Sequence, residues 1–154
     1  MTQKKISKAQ IKRNRKAWLE ALRSGKFKQT KGKLRSRNGA YCCLGVACEV
    51  LEVPRVWDSQ EYQYGTEEVL DLIKKDEYIE SSKWNDYSST SLPRVAAALL
   101  GVDQYEVRLA KPVTFTHKGE ECSEDNLIEL NDTYGWSFAQ IADAIEKNGL
   151  REVE

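Results

Sequence analysis

Three cations alternate along one short segment of this 154-residue chain: Lys33, Arg35 and Arg37. The Asn38-Gly39 pair that follows, lying between two extended segments, is typical of a β-hairpin with a type I′ turn. Successive side chains of a strand point to opposite faces, so the three cations are predicted to share one face of this hairpin. Like charges placed together repel each other unless an anion lies between them. Because arginine binds phosphate in a bidentate way, the pattern indicates a site for a phosphate-bearing ligand.

These cations belong to a strongly basic end of the chain. Fourteen of the 24 Lys and Arg residues lie between Lys4 and Arg37, where Glu20 is the one acid, and residues 41–154 carry the balancing excess of acids. Such asymmetry usually serves an anionic partner, which here could be nucleic acid, a free nucleotide or an acidic face of another copy. A solvated, lysine-rich surface that only aids solubility explains a charge run equally well.

Aromatic and Asx residues supply the other groups that a nucleotide site needs. Tyr41 follows the predicted turn and Trp57 lies in a polar segment, and either could stack on a base. Asn131 and Asp132 lie between two predicted helices, where such side chains read base edges or, more often, cap a helix. The predicted ligand-binding residues are Lys33, Arg35, Arg37, Tyr41, Trp57, Asn131 and Asp132.

The sequence offers no set of residues for catalysis, and none for a metal or a cofactor. Its four cysteines, Cys42, Cys43, Cys48 and Cys122, form no CxxC pair, and His117 is the only imidazole. In a reducing compartment the cysteines are predicted to be small buried apolar residues, and a Cys42–His117 nucleophile pair is disfavoured. Neither a Walker loop nor a GxGxxG motif occurs. The chain is therefore predicted not to be an enzyme.

Composition indicates a globular protein of the cytoplasm. Hydrophobic residues make up 40% of the chain and charged residues 31%, as in soluble domains. The basic N-terminus lacks the apolar core of a signal peptide, and no stretch approaches the roughly 18 apolar residues of a membrane span. We therefore expect no membrane association.

The predicted fold class is α+β, a single domain in which several short helices pack on a small antiparallel sheet. Apolar periodicity and capping residues predict helices at Lys8–Arg23, 43–51, 67–73, 92–100, 127–130 and 138–148. Strands are predicted on both sides of the Asn38-Gly39 turn, at 105–109 and at 113–116. The basic helix and hairpin occupy residues 1–43, and a polar, aromatic-rich insert occupies about 55–91.

Four details of these elements are specific. Gly45 lowers helix propensity by about 1 kcal/mol relative to Ala, so it is predicted to allow another backbone to approach closely. Ser91 is predicted to cap the helix at 92–100, with Gly101 just past its end. Trp18 is predicted to be core. Some aromatic residues of the insert are predicted to be partly exposed.

Several blocks of the sequence resemble a large family of small phage-encoded proteins. The blocks, which span most of the chain, are Ala17-Trp18, Arg37, Gly39, Tyr41-Cys42-Cys43-Leu44-Gly45-Val46, Cys48, Leu92-Pro93, Leu100-Gly101, Leu130-Asn131-Asp132 and Ser137-Phe138. In size and distribution these proteins are similar to the anti-CBASS sponges of phages, which sequester cyclic nucleotide immune signals without cleaving them. The chain resembles such a sponge, except for its long insert at 55–91.

The resemblance implies a homo-oligomer in the host cell cytoplasm whose pockets hold a cyclic dinucleotide such as cyclic GMP-AMP. Two phosphates and two base faces suit the predicted cations and aromatic side chains, and passive binding needs no acid, base or metal. The insert is expected to change the shape of the pocket.

Three other interpretations stay open. The runner-up is a nucleic-acid-binding phage accessory protein, in which the helix Lys8–Arg23 and the hairpin lie along phosphates. The acidic remainder of the chain opposes it, because it would repel a long polyanion. A nucleotide-processing enzyme comes third. In the fourth interpretation, the basic end docks on an acidic face of another subunit.

Overall fold

Helices account for most of the regular structure, and most of the strands between them are short. The computed structural model describes residues 5–104 and 106–152. Its helices are α1 (Lys8–Arg23), α2 (Cys43–Val50), α3 (Glu67–Lys74), a 3₁₀ helix (Ser81–Asp86), α4 (Arg94–Leu100), α5 (Leu127–Asp132) and α6 (Phe138–Asn148). Its strands are β1 (Lys28–Gln29), β2 (Ala40–Tyr41), β3 (Arg55–Trp57), β4 (Tyr62–Gly65), β5 (Tyr87–Ser88), β6 (Arg108–His117) and β7 (Glu120–Asn126).

The strands form three small sheets beside one apolar core. β1 and β2 pair in parallel, β3, β4 and β5 form an antiparallel sheet, and β6 and β7 form an antiparallel hairpin. The core is built largely from α1, α2, α4, α5 and α6 and contains Trp18, Leu44, Leu100, Leu130 and Ile141. The predicted α+β fold, a single domain of short helices and small antiparallel strands, is confirmed. The parallel pairing of β1 with β2 was not predicted.

α1 begins and ends where the sequence predicts. The Ser7 hydroxyl oxygen accepts a hydrogen bond from the backbone N–H of Gln10 at 3.1 Å, and Ser24 is the C-cap. Trp18 is fully buried, as predicted, and its indole N–H donates to the carbonyl of Cys43 at 2.9 Å. This bond joins α1 to the start of α2. The face of α1 that carries Lys8, Lys12 and Lys16 is exposed to solvent.

α2 is almost wholly buried along its first six residues. A Cβ added to Gly45 would lie 1.7 Å from the carbonyl oxygen of Leu34. The predicted close approach of another backbone is therefore confirmed. It holds the segment before Arg35 directly against α2 and so fixes where the Arg35 side chain begins.

The predicted hairpin around Asn38 is wrong in its turn type and in most of its pairing. β2 pairs with β1 in parallel, and only Arg35 bridges Tyr41 in the antiparallel sense. The backbone N–H of Gly39 donates to Ser36 at 3.0 Å, and Gly39 has a φ of +82°, but neither Asn38 nor the residue before it has a positive φ. The turn is thus a three-residue loop ending in a left-handed glycine, not type I′. The backbone N–H of Ser36 donates to the carbonyl of Ala40 at 2.7 Å, but that of Leu34 donates to the carbonyl of Ser89 at 2.8 Å, so the antiparallel pairing ends at Arg35.

The predicted start of α4 is also wrong. The helix begins at Arg94, with the extended Pro93 as N-cap. The hydroxyl of Ser91 is instead 3.0 Å from that of Ser88, so Ser91 caps nothing. Proline disfavours the helical conformation for the residue before it, and Pro93 itself is extended, with a ψ of 157°, so the helix starts at the next residue. The predicted C-terminal glycine, Gly101, is confirmed with a φ of +66°.

The strands predicted at 105–109 and 113–116 are largely one strand, β6, with an irregularity between Arg108 and Val113. Residue 105 lies outside the described residues. β7 was not predicted, because its acidic sequence lacks the alternating apolar residues of a strand. It forms through pairing with β6 across a turn at Lys118 and Gly119, both of which have a positive φ.

The insert at 55–91 contains the antiparallel sheet and α3. The predicted helix at 67–73 is α3, and the Thr66 hydroxyl caps it by accepting from the backbone N–H of Val69 at 3.4 Å. Trp57, Tyr78 and Trp84 are its exposed large aromatic residues, so the prediction of partly exposed aromatics is confirmed.

α6 forms as its sequence predicts. Ser137 caps it, and Gln140 completes a capping box. Its buried stripe contains Phe138, Ile141, Ala142, Ala144 and Ile145. Neither α6 nor any other helix within residues 5–104 and 106–152 combines the length and apolarity needed to cross a membrane.

Candidate functional site

The Ser36–Gly39 turn and the β3–β4 hairpin bring four of the predicted ligand-binding residues together. These four are Arg35, Arg37, Tyr41 and Trp57. Tyr41 is buried and packs against Phe27 and Arg35, so its ring is not available to stack on a base as predicted. The four contact three residues that the sequence did not single out, which are Glu49, Arg55 and Tyr62. We call these seven residues the cation–aromatic cluster. Three guanidinium groups against one carboxylate give it a net positive charge, which suits an anionic ligand.

Arg35 lies at the centre of the cluster. Its Cζ is 4.7 Å from the ring centroid of Tyr62 and 5.4 Å from that of Tyr41, and its side chain is only 18% exposed. Burial opposes its charge most strongly, but Tyr41, Tyr64 and Glu49 together raise the pKa of Arg35 above its usual value. Its Nη1 lies 3.9 Å from Oε1 of Glu49, and its buried Nε has no hydrogen-bond partner within the described residues. The donors of Arg35 are thus only partly used.

Arg37 and Trp57 form the exposed side of the cluster. The Cζ of Arg37 is 5.9 Å from the Trp57 ring centroid, within the range of a cation–π interaction. Trp57 is 37% exposed and meets its cross-strand partner Tyr62 edge-on, with ring centroids 5.0 Å apart. Arg37 is exposed and makes no ion pair with the residues that the structure describes. A ligand can therefore reach this guanidinium and this indole.

Glu49 is the internal counter-ion of the cluster. Its Oε2 accepts from the Tyr64 hydroxyl at 2.9 Å, and its Oε1 accepts from Nη1 of Arg55 at 3.1 Å. Burial first, and then the hydrogen bond to Glu49, raise the pKa of Tyr64 well above its usual range. Tyr64 is therefore a neutral hydrogen-bond donor at physiological pH. Its hydroxyl holds the carboxylate beside Arg35.

Lys33 lies outside the cluster. It is exposed, and no acid of the described residues pairs with it. Residues 31–34 form bends rather than a strand. The alternation that would align Lys33 with Arg35 therefore does not apply to them.

Asn131 and Asp132 hold the fold together. Asn131 is 0% exposed, and its amide uses all four of its hydrogen-bonding positions. Its partners are the carbonyl of Thr30, the carboxylate of Asp132, the amide of Gln29 and the backbone N–H of Cys43. Asp132 accepts in addition from the backbone N–H of Gly32 at 3.1 Å. The side chain of Asn131 accepts a hydrogen bond from the backbone N–H at the start of α2, and its amide has no free donor or acceptor position for a ligand.

The cysteines have no catalytic arrangement. Cys42, Cys43 and Cys48 are buried, as predicted, whereas the fourth cysteine is only partly buried. Burial raises the pKa of Cys42 to about 11 and raises the pKa of Cys43 and of Cys48 well above its ordinary value, so these thiols are protonated at physiological pH. His117 contacts Tyr134 edge-on at 5.1 Å in the β6–β7 hairpin. No group of three or more potential metal ligands occurs in the part of the chain that the structure describes.

A second set of available cations lies on α1. Lys8, Lys12 and Lys16 are exposed and follow one another at about 6 Å along the helix axis. The ion pairs that the basic segment makes with described residues use arginines, namely Arg15, Arg23 and Arg35. The lysines of this face therefore remain available to an external anion.

Sequence reasoning missed the β3–β4 hairpin, although a signal was present. Arg55-Val56-Trp57 and Tyr62-Gln63-Tyr64 contain the β-branched and aromatic residues that favour strands, and four polar residues separate them. Asp58 opens that loop and accepts from the backbone N–H groups of Gln60 and Glu61 at 3.0 and 2.8 Å. An Asp at the start of a short loop between two such segments is typical of a hairpin.

The chain belongs to the family described as Domain of unknown function (DUF8296), whose model matches residues 8–149. Neither a curated protein nor a solved structure gave a significant match. The family description states no activity. The groups of the described chain that remain available to an anionic ligand are those of the cation–aromatic cluster and the exposed lysines of α1.

Proposed function

For this member of a family of unknown function, we propose that the cation–aromatic cluster binds a nucleotide with two phosphates and releases it uncleaved. The observation that carries the proposal is the pairing of Arg37 with the exposed ring of Trp57 beside the partly paired Arg35. Guanidinium groups bind phosphate in a bidentate way, and an indole face stacks on any base. A cyclic dinucleotide such as cyclic GMP-AMP contains two phosphates and two bases.

The chemistry of the cluster favours binding over cleavage. Its ionisable groups are three guanidinium groups, two tyrosines and one carboxylate already held by Tyr64 and Arg55. Burial raises the pKa of one of these tyrosines, Tyr41, above its ordinary value. The candidate nucleophile Cys42 is buried and protonated. We therefore propose a sequestering protein rather than an enzyme. In the host cell cytoplasm such a phage protein would act as an anti-CBASS sponge.

The cluster is an open surface in one copy of the chain, because Trp57 and Arg37 face solvent. We propose that a second copy covers the ligand in a homo-oligomer. Bound ligands are usually enclosed over most of their surface, which one open face does not achieve.

Retention and recovery of ligand test the proposal. The protein is incubated with a panel of cyclic and linear nucleotides, the bound fraction is measured, and the protein is then denatured by heat. We expect a cyclic dinucleotide to be retained and to return intact. Product that is hydrolysed or linearised in excess over the protein would instead identify an enzyme.

A nucleic-acid-binding accessory protein is the second candidate, and the lysine row on α1 favours it. Lys8, Lys12 and Lys16 are free to contact successive phosphates, with the acidic remainder of the chain opposing a long polyanion. Each phosphate contact on a duplex contributes about 0.9 to the slope of log affinity against log salt. A slope of roughly −5 or steeper with plain duplex DNA supports this candidate. A cyclic dinucleotide, with two charges, gives a far gentler slope.

A further inference from the structure

Glu49 has an unusual position for an acid. It lies in the last turn of α2, where the helix dipole disfavours a negative charge. Arg55 and the Tyr64 hydroxyl compensate it with hydrogen bonds of 3.1 and 2.9 Å, and Arg35 approaches to 3.9 Å. The carboxylate therefore stands where two guanidinium groups converge.

We propose that Glu49 is a built-in counter-anion that occupies, in the free protein, the position of the ligand's second phosphate. The inference rests on the proposed function, since it concerns the same cluster. Glu49 then sets the affinity of the site. One phosphate binds Arg37 directly, and the other has to displace the carboxylate from Arg35 and Arg55.

The surroundings of Glu49 allow this displacement. Its side chain is 26% exposed. An open cavity of about 550 Å³ adjoins it, lined by Glu49, Glu52, Val53, Pro54 and Arg55. The carboxylate can turn into this space and be hydrated there, which reduces the cost of giving up its partners. Arg35 would gain a closer anion, because Glu49 approaches its Nη1 only to 3.9 Å, whereas a bound phosphate can accept two hydrogen bonds from one guanidinium.

Glu49→Gln tests the inference, with Glu52→Gln as the matched control. Both variants remove one negative charge beside the same cavity, but Glu52 is exposed and pairs with no cation of the described residues. Screening by salt makes the shared long-range effect small. We expect Glu49→Gln to bind a cyclic dinucleotide at least about fivefold more tightly and Glu52→Gln to change affinity less than about twofold. Inorganic pyrophosphate should raise the melting temperature of Glu49→Gln more than that of the unsubstituted protein.

The outcomes separate the two proposals. If the unsubstituted protein binds the nucleotide and Glu49→Gln binds equally or more weakly, Glu49 is not a competing anion and the inference is wrong. If no variant binds any nucleotide, the proposed function is wrong and the inference with it. Tyr64→Phe replaces Glu49→Gln if the latter does not fold, because loss of the hydroxyl loosens the carboxylate. It should also tighten binding, by a smaller factor.

Discussion

The two ends of helix α2 hold most of the polar residues that the sequence singled out, and they use them in opposite ways. At the N-terminal end, Asn131 is fully buried and bonded in every position, one bond being to the backbone of Cys43. At the C-terminal end, the carboxylate of Glu49 forms an ion pair with Arg55 at 3.1 Å and lies 3.9 Å from the guanidinium of Arg35. Arg37 remains free above Trp57 there.

Residue type indicates both ends as ligand sites, and what separates them is how much bonding capacity the fold consumes. A buried amide with four partners determines structure, because an unbonded buried polar group is costly. A guanidinium with no ion pair beside an exposed ring retains capacity for an external partner. We call the N-terminal end of α2, with Asn131, the closed end, and the C-terminal end, with Glu49 and Arg37, the open end. Substitutions at the closed end should therefore change stability, whereas substitutions at the open end should change binding.

The largest expected effect comes from Gly45, which lies between the two ends. Gly45→Ala should lower the free energy of unfolding by about 3 kcal/mol or more, because its Cβ would overlap the Leu34 carbonyl and force the backbone to shift. Urea denaturation measures the change. Gly25→Ala is the control: its Cβ meets open space and only the φ of +74° is strained, at a cost of about 1–2 kcal/mol. Equal losses in both variants would mean that the close approach does not fix the Arg35 segment.

The closed end itself is broken by Asn131→Ala. We expect a loss of about 2–3 kcal/mol in urea denaturation, because the backbone of Cys43 and the carbonyl of Thr30 lose buried partners. Nucleotide affinity per folded molecule should not change. Asn148→Ala, which removes bonds at the surface to the carbonyls of Lys111 and Pro112, should cost less than about 1 kcal/mol. Weakened binding with unchanged stability would reverse the comparison between the two ends.

The elements that the sequence predicted well depend on neighbours within one or two turns. Ser7 caps α1 and Ser137 caps α6 through bonds to residues three positions later, so a short window contains the whole signal. Gly45 was informative because glycine inside an apolar helix has few explanations other than close packing. The start of α4 was wrong because Pro93, rather than Ser91, decides where that helix can begin.

The features that the sequence did not predict depend on distant partners. Asn131 meets Gln29 across about a hundred positions of the chain, and no local pattern distinguishes a buried Asn from a capping one. Cations and aromatic residues were identified by type alone, but Tyr62 joins Arg35 only because β3 and β4 pair. Glu49 was hidden in an apolar run, where an acid is expected to face solvent.

The pH dependence of stability tests the closed end of α2, where the buried thiol of Cys42 lies at the N-cap. Its pKa is raised from its ordinary value near 9 to about 11 by burial, so the folded state holds the proton more tightly than the unfolded state. The stability from this thiol is fully present below the unfolded pKa and is lost as the pH rises towards 11. We expect a loss of about 1.3 kcal/mol between pH 8 and pH 10. In urea denaturation, Cys42→Ala should flatten this decline, whereas Cys122→Ala, at a partly exposed position, should not. An unchanged decline in Cys42→Ala would show that the thiol is not responsible.

The open end is tested by comparing Arg37→Ala with Lys33→Ala. Each variant removes one exposed cation from the segment before β2. Only Arg37 lies over Trp57, so its loss should weaken binding of a cyclic dinucleotide at least about tenfold, or about 1.4 kcal/mol, and Lys33→Ala should weaken it less than about threefold. Calorimetry measures both affinities, and melting temperatures should stay close to that of the unsubstituted protein because neither side chain is buried. Arg35→Ala is a poorer test, since it also empties a partly buried position between two rings and takes a cation from Glu49. Equal, small effects of Arg37→Ala and Lys33→Ala would mean that the charge is merely solvated and that the open end of α2 binds no nucleotide.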